Sequence, residues 1–454
     1  MLTETVAHSD PIAPVILGVT GILFVAIIGR FTARKFHLPS VLGELLMGVV
    51  LGNLAYAFGL ELIAVLREGP AIFELMEHRF SGMSLEEAGR RLGINNPEVF
   101  AILRGPAGAE LVQVAHTVDV FSRYGVIFLL FLVGLDTTVG EMRAVGGASL
   151  RVAVAGAILP FVLGMLTVEW LMPDLSLNSE LFIAATLAAT SIGITAQVLR
   201  EIGKHQCREA RVILGAAVID DILGLLLLAI VTGVVVSGGV NLQDIGITVL
   251  LALLFIGVSF WLGPYFLRGI IRFISHLDII EAKMFVSYLF VMILAWFANL
   301  VGLATIIGAF TAGVIIGDVY FKKWDRQNGR PAYTIKELVM PLEVILVPIF
   351  FVLMGLQVKL ETLLNPEAIL LAAGLIAAAV LGKLIAGFAA GKPYHALSIG
   401  LGMLPRGEVG LIFASIGKTL GVIDDMLFSA VVMMVVVTTF LAPPLVKKWF
   451  VDSE

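Results

Sequence analysis

Long apolar stretches fill this chain, and its polar positions are gathered in short clusters between them. Many of the apolar runs are long enough for helices of about 20 residues, the length that crosses a hydrocarbon core. They predict spans at about residues 12–36, 38–58, 120–140, 150–172, 180–201, 208–236, 241–262, 281–301, 303–320, 335–358, 366–391, 394–419 and 424–446. The pattern is that of an all-α polytopic membrane protein with about thirteen transmembrane helices.

The polar clusters between spans orient the chain. Lys and Arg collect in alternate loops: Arg30/Arg34/Lys35, Arg143/Arg151, Arg200/Lys204/Arg208/Arg211, Arg268/Arg272/Lys283, the cluster from Lys322 to Lys336, Lys392, and Lys447/Lys448. The intervening loops PDLSLNS, SGGVNLQ and LVGLA carry neither residue. Basic loops face the cytoplasm, so the N-terminus is expected outside and the C-terminus inside, in a cell membrane. Residues 59–119 interrupt the alternation as an extracytoplasmic loop of mixed charge. Within it Ser84 and Glu87 have the spacing of a capping box that opens a short helix.

Composition narrows the function classes. Hydrophobic residues make up 59% of the chain and charged residues 14%, against roughly a quarter charged in soluble domains. Mean hydropathy is +1.00. The net charge of −5 is spread through loops and forms no basic patch for nucleic acid. A single cysteine, Cys207, excludes disulfide frameworks and thiolate clusters, and the seven histidines fall in loops or near span ends without metal-ligand spacing. No cofactor is expected. The first ten residues lack the positive segment of a cleavable signal.

Two segments resemble each other. IFLLFLVGLDTTV (127–139) and PIFFVLMGLQVKL (348–360) share an apolar-aromatic run, then Gly-Leu, then a polar residue. Thr190-Ser191 follow the first glycine by 56 residues, and Pro405-Arg406-Gly407 follow the second by 50. The markers sit an odd number of spans apart, which predicts inverted repeats, each with a polar interruption two spans on. Interrupted helices at matching positions point to a transporter's substrate site.

Charges inside the spans supply the chemistry. Asp220 and Asp221 follow Arg211 by about ten residues, so they lie roughly 15 Å along their helix at 1.5 Å per residue. An ionised carboxylate at that depth is costly unless it meets water, a cation or a counter-ion. Neighbouring helical residues point about 100° apart, so one can face an aqueous path while the other meets a partner. Lys383 lies about 13 Å from the cytoplasmic end of its span, beyond the reach of snorkelling. Asp220 or Asp221 is its candidate partner. Thr190 and Ser191 supply hydroxyls at similar depth, Pro405 and Gly407 unsettle the second interrupted helix, and Arg406 and Glu408 compensate the freed helix ends, chiefly as structural groups. Glu44 and Asp136 either line an entry funnel or snorkel to the surface.

The pieces LPSVLGELLMGVVLG, FLVGLD, AATSIGITAQVL, AAVIDDILGL, GAFTAGVIIG, PIFFVLMGLQV and LPRGEVGLIFA follow one another along nearly the whole membrane part. In this the chain resembles the monovalent cation:proton antiporters, in the branch of bacterial sodium/proton antiporters and Kef-type transporters. The resemblance implies two crossed, discontinuous helices beside the aspartates, and a homodimer in which a core bundle moves against a fixed dimerisation domain. It implies that Asp221 binds the transported ion and that Asp220 pairs with Lys383, as in double-aspartate, electrogenic exchangers. Kef-type members instead resemble this pattern with one aspartate after an uncharged residue. On this reading residues 1–58 hold the first two helices and 120–236 the first-half core with the ion site. Residues 237–334 hold linking and interface helices, and 335–454 the second-half core and C-terminal helix.

The expected function is exchange of Na⁺ or Li⁺ for H⁺ across the bilayer, with ligands from Asp221, Asp220, and hydroxyls near Thr190 and Ser191. K⁺/H⁺ exchange is the near alternative. A cation channel would need a continuous polar pore, and no filter loop is present. An intramembrane aspartyl protease also uses two aspartates, but they must face each other, which adjacent residues on one helix cannot do.

Overall fold

A computed structural model describes residues 10, 12–36, 38–80, 83–91, 96–136, 146–191, 195, 199, 204, 207–237, 242–274, 278–317, 320–321, 333–406 and 408–450. Among these residues the chain is helical with no strand. Ten helices among the described residues are long and apolar enough to cross a membrane. Three further predicted spans hold shorter apolar helices, Leu177–Ala188, Thr305–Ile315 and Val409–Thr419.

In chain order the helices are α1 (Ala13–Lys35), α2 (Ser40–Ala57), α3 (Glu61–Arg67), α4 (Ala71–Phe80), α5 (Leu85–Arg91), α6 (Pro97–Arg104) and α7 (Gly108–Asp136). They continue with α8 (Gly147–Leu171), α9 (Leu177–Ala188), α10 (Arg208–Ser237), α11 (Leu242–Phe273), α12 (Ile279–Leu300), α13 (Thr305–Ile315) and α14 (Ile335–Leu356). The last are α15 (Pro366–Gly387), α16 (Ala396–Gly402), α17 (Glu408–Thr419) and α18 (Asp425–Trp449). Starts follow local chemistry: Ser176, Asn365 and Asp424 cap α9, α15 and α18 with their side chains. Such oxygens satisfy N–H groups that the helix itself leaves open.

The chain forms two compact units. The first contains Met1–Gly125 with Ile345–Lys359. Here the expected 59–119 loop is largely helical: it contains α3 to α6, and α7 begins twelve residues before the predicted span. Several of the charges in these helices are paired. Glu68 is buried and accepts from Lys359 Nζ at 3.0 Å and from Asn96 Nδ2 at 3.4 Å. Arg67, also buried, donates to Asn53 Oδ1 at 3.0 Å and stacks on the Tyr56 ring. Ser84 Oγ accepts from the Glu87 N–H at 3.2 Å, as its spacing predicts. His116 lies inside α7 rather than near a span end, with its ring edge-on to Phe73. Glu44 is buried and ion-paired with Arg30, so it does not snorkel to the surface.

The second unit contains Val126–Val344 with Leu360–Glu454. In it α8 packs on α15, α9 and α10, and α9 packs on α10 and α17. At the start of α8, Arg151 donates to the carbonyls of Ala389 at 2.9 Å and Ala390 at 2.8 Å, holding α8 to the end of α15. Asp136 is exposed and accepts from Lys336 Nζ with both oxygens at 2.7 Å. The two sequence markers behave alike: each glycine meets another helix backbone to backbone. Gly134 meets Phe310 and Gly313 of α13, and Gly355 meets Leu45 and Gly48 of α2. Any side chain at either position would collide with a carbonyl.

Candidate functional site

Helix α10 places two carboxylates one after the other in an otherwise apolar run, and both Asp220 and Asp221 are buried. The bearing of Asp220 is set by α15. Lys383 Nζ donates to Asp220 Oδ2 at 3.1 Å and to the Ala188 carbonyl at 2.9 Å. The two charged side chains are 0% and 1% exposed. Burial strengthens the attraction between them and removes water as an alternative partner.

Ala188 ends α9, and the chain then runs extended at Ala189 with φ −64° and ψ 144°. A helix that stops here leaves carbonyls without intrahelical donors and carries the negative end of its dipole. Two cations meet that end. Lys383 takes Ala188, and Arg406 donates from Nη1 to Ala189 and from Nη2 to the Ala379 carbonyl at 3.4 Å. The second interruption lies between α16 and α17, where Pro405 has no N–H and disfavours helix at Leu404 before it. Backbone bonds join the interruptions: the Ser191 N–H donates to the Pro405 carbonyl at 3.0 Å. Thr195 Oγ1 donates to Gly402 O at 2.8 Å, and Thr439 of α18 donates to the carbonyl of Arg406.

Several expected residues therefore come together: Asp220 with Lys383, Thr190 and Ser191 in the first interruption, and Arg406 across both. The expected choice of partner for Lys383 resolves to Asp220. Arg406 donates to a freed helix end, but it is the end of α9 and not one of its own interrupted helix. The Glu408 side chain lies outside the described residues, and its backbone opens α17. Asp136 is not brought into this group, being held by Lys336, and Glu44 belongs to the first unit, where Arg30 holds it. Sequence reasoning missed the carbonyls of Ala188, Ala189 and Ala379, because backbone acceptors carry no residue-type signal. It missed Thr439 because a threonine in an apolar helix normally bonds back within its own turn, as neighbouring Thr438 does to Met434 O at 2.7 Å.

Two oxygens stand apart in this assembly. Thr190 Oγ1 and Asp220 Oδ1 are buried with no hydrogen-bond partner among the described residues. Buried polar atoms are nearly always satisfied, and these two oxygens, with Arg406 Nε, are the exceptions in this assembly. One residue beyond Asp221, Ile222 begins the wall of an apolar cavity of about 140 Å³, completed by α11 and by Phe310 and Thr311 of α13. Thr311 spends its hydroxyl on Ile307 O at 2.7 Å. Apart from Thr311 the cavity is lined by apolar side chains.

A family model described as sodium/hydrogen exchanger, transmembrane, matches residues 98–451. The high-affinity Na⁺/H⁺ antiporter NhaS3 of Synechocystis sp. is 34% identical, covering 100% of this chain and 93% of its own length. The Na⁺/H⁺-K⁺ antiporter GerN of Bacillus cereus is 35% identical over 78% of this chain and 88% of its own. Among solved structures, the sodium proton antiporter MjNhaP1 of Methanocaldococcus jannaschii at pH 8 has the same fold. Its TM-score is 0.62 at 15% identity, over 96% of this chain and 98% of that one.

Removing the guanidinium tests the capping. Arg406→Met strands the Ala189 carbonyl, which costs about 1–3 kcal/mol for a buried unsatisfied group, and a clear fall in melting temperature in detergent is expected. Arg406→Lys keeps a donor and falls less. A Met variant that melts with the parent would show that the interruption needs no cap.

Proposed function

The chain belongs to the sodium/hydrogen exchanger family, and from that premise we propose that it exchanges Na⁺ or Li⁺ for H⁺ across the cell membrane, electrogenically and by alternating access. It is a transporter and not an enzyme. The reading is carried by the buried pair of Asp220 and Lys383 beside a second buried carboxylate, Asp221, where two interrupted helices meet.

In this mechanism Asp221 is the carboxylate for which cation and proton compete, with Asp220, Thr190 and Ser191 adding oxygens once the cation is stripped of water. A site neutralised by either occupant can cross the low-dielectric barrier, and an empty charged site cannot. That difference couples the two fluxes. Lys383 holds Asp220 in the cation-free state and releases it when the site fills, so its ammonium supplies one of two protons exchanged per cation. One net charge then moves per cycle, worth about 2.3 kcal/mol per 100 mV. GerN is named for both Na⁺ and K⁺, which makes K⁺/H⁺ exchange at the same site the second reading.

Proteoliposomes with a trapped pH dye, given Na⁺, Li⁺ and K⁺ in turn, decide between these ions. Asp221→Asn is expected to abolish cation-dependent proton movement, and Asp220→Asn to impair it severely. The apparent KM for Na⁺ should rise as pH falls while the maximum rate changes less. Near-normal exchange by Asp221→Asn, or a KM independent of pH, would refute competition at this carboxylate.

Stoichiometry is read from reversal potentials under an imposed diffusion voltage. Lys383→Gln is expected to weaken voltage dependence toward one proton per Na⁺, and to melt earlier because a buried ion pair broken on one side costs about 3–5 kcal/mol. Transport with unchanged voltage dependence would leave Lys383 a strut only.

The same proposal puts the N-terminus and the 59–119 segment outside and the C-terminus in the cytoplasm, in a homodimer. Impermeant labelling of a cysteine placed at Ser84, from outside intact cells, and the mass of the solubilised particle check both points. Labelling only after permeabilisation, or a monomeric mass, would overturn them.

A further inference from the structure

No residue of α8 was expected near the ion site, yet this helix closes one side of the lysine. The Lys383 ammonium has three N–H groups. Two are used, on Asp220 Oδ2 and Ala188 O, and the third has no acceptor among the described residues. A Cβ built on Gly156 would stand 3.1 Å from Lys383 Nζ, with Lys383 Cδ at 3.7 Å and Ala386 Cβ at 3.9 Å next. The space a side chain would fill at position 156 is therefore bounded by the lysine itself.

The approach is tight by design of the packing around it. One residue before the lysine, Gly382 lies against the Pro160 ring and backbone, 2.8 Å from where its Cβ would be. Helices α8 and α15 thus touch closely at 382 and 160, and Gly156, one turn earlier on α8, leaves room where the ammonium sits. Glycine in a helix interior costs about 1 kcal/mol relative to alanine, and here the vacated volume adjoins a charged group that must change partners.

We propose that Gly156 is a positioning residue: it keeps open the space into which the Lys383 ammonium withdraws when a cation takes Asp220. This rests on the exchange mechanism above. Without that space the ammonium stays against Asp220 and opposes the incoming cation. A larger side chain in the same place would fill more of it.

The test compares two variants of increasing bulk. Gly156→Ala is expected to raise the apparent KM for Na⁺ at alkaline pH by roughly fivefold, the scale of one hydrogen bond. Gly156→Ser is expected to raise it at least as much. Both differences should vanish in a Lys383→Gln background, since a double-mutant cycle isolates the pairwise coupling. The Na⁺-induced rise in melting temperature of the purified protein, each variant measured against its own sodium-free melt, gives the same comparison where transport is lost. A parent-like KM and Na⁺ response in both variants, or shifts that persist without Lys383, overturn the proposal and leave α8 a packing element. A parent protein without any Na⁺ response in either assay would overturn the exchange mechanism itself.

Discussion

Hydrocarbon offers no hydrogen bonds, so a helix that ends inside an apolar bundle must find donors for its last carbonyls. Much of the second unit follows from how this chain meets that demand at Ala188 and Ala189. Lys383 and Arg406 supply the donors. Each brings a charge that has to be balanced in turn. Asp220 balances the lysine. Arg406 spreads its donors over carbonyls of α9 and α15 and has its own carbonyl bound by Thr439. One interrupted helix thereby fixes the neighbours on α10, α15, α18 and the segment before α17.

The membrane architecture was legible because apolar run length is a direct consequence of bilayer thickness. The aspartates and Lys383 were legible for the converse reason, a charge where hydrocarbon should be. Which aspartate meets the lysine was not legible from spacing, because adjacent residues differ only in bearing, and bearing depends on where α15 packs. The interruption at Thr190 left a weak trace, since hydroxyls are common in membrane helices. The one at Pro405 left a strong trace, since proline removes a donor outright.

Beyond the short helix that Ser84 and Glu87 signalled, the helices of the 59–119 segment left little trace, because mixed charge breaks up its apolar runs. Glu68 with Lys359, and Arg67 with Asn53 and Tyr56, turn those charges inward. Mixed charge over sixty residues fits a flexible loop and a set of short helices sharing a buried polar knot equally well, and only pairing in space distinguishes them. Glu44 shows the same limit on a smaller scale. Its burial with Arg30 requires two helices to meet, which no single span records.

The acceptors that organise the site are main-chain atoms of Ala188 and Ala189, which no substitution can delete. Their importance therefore leaves no mark at their own codons. A saturation survey of α9 would score them as ordinary small, buried positions, judged by volume alone. The intolerance they create would surface on other helices, at 383 and 406, where the donors are encoded. Variant effects in such a fold are displaced from the atoms that cause them.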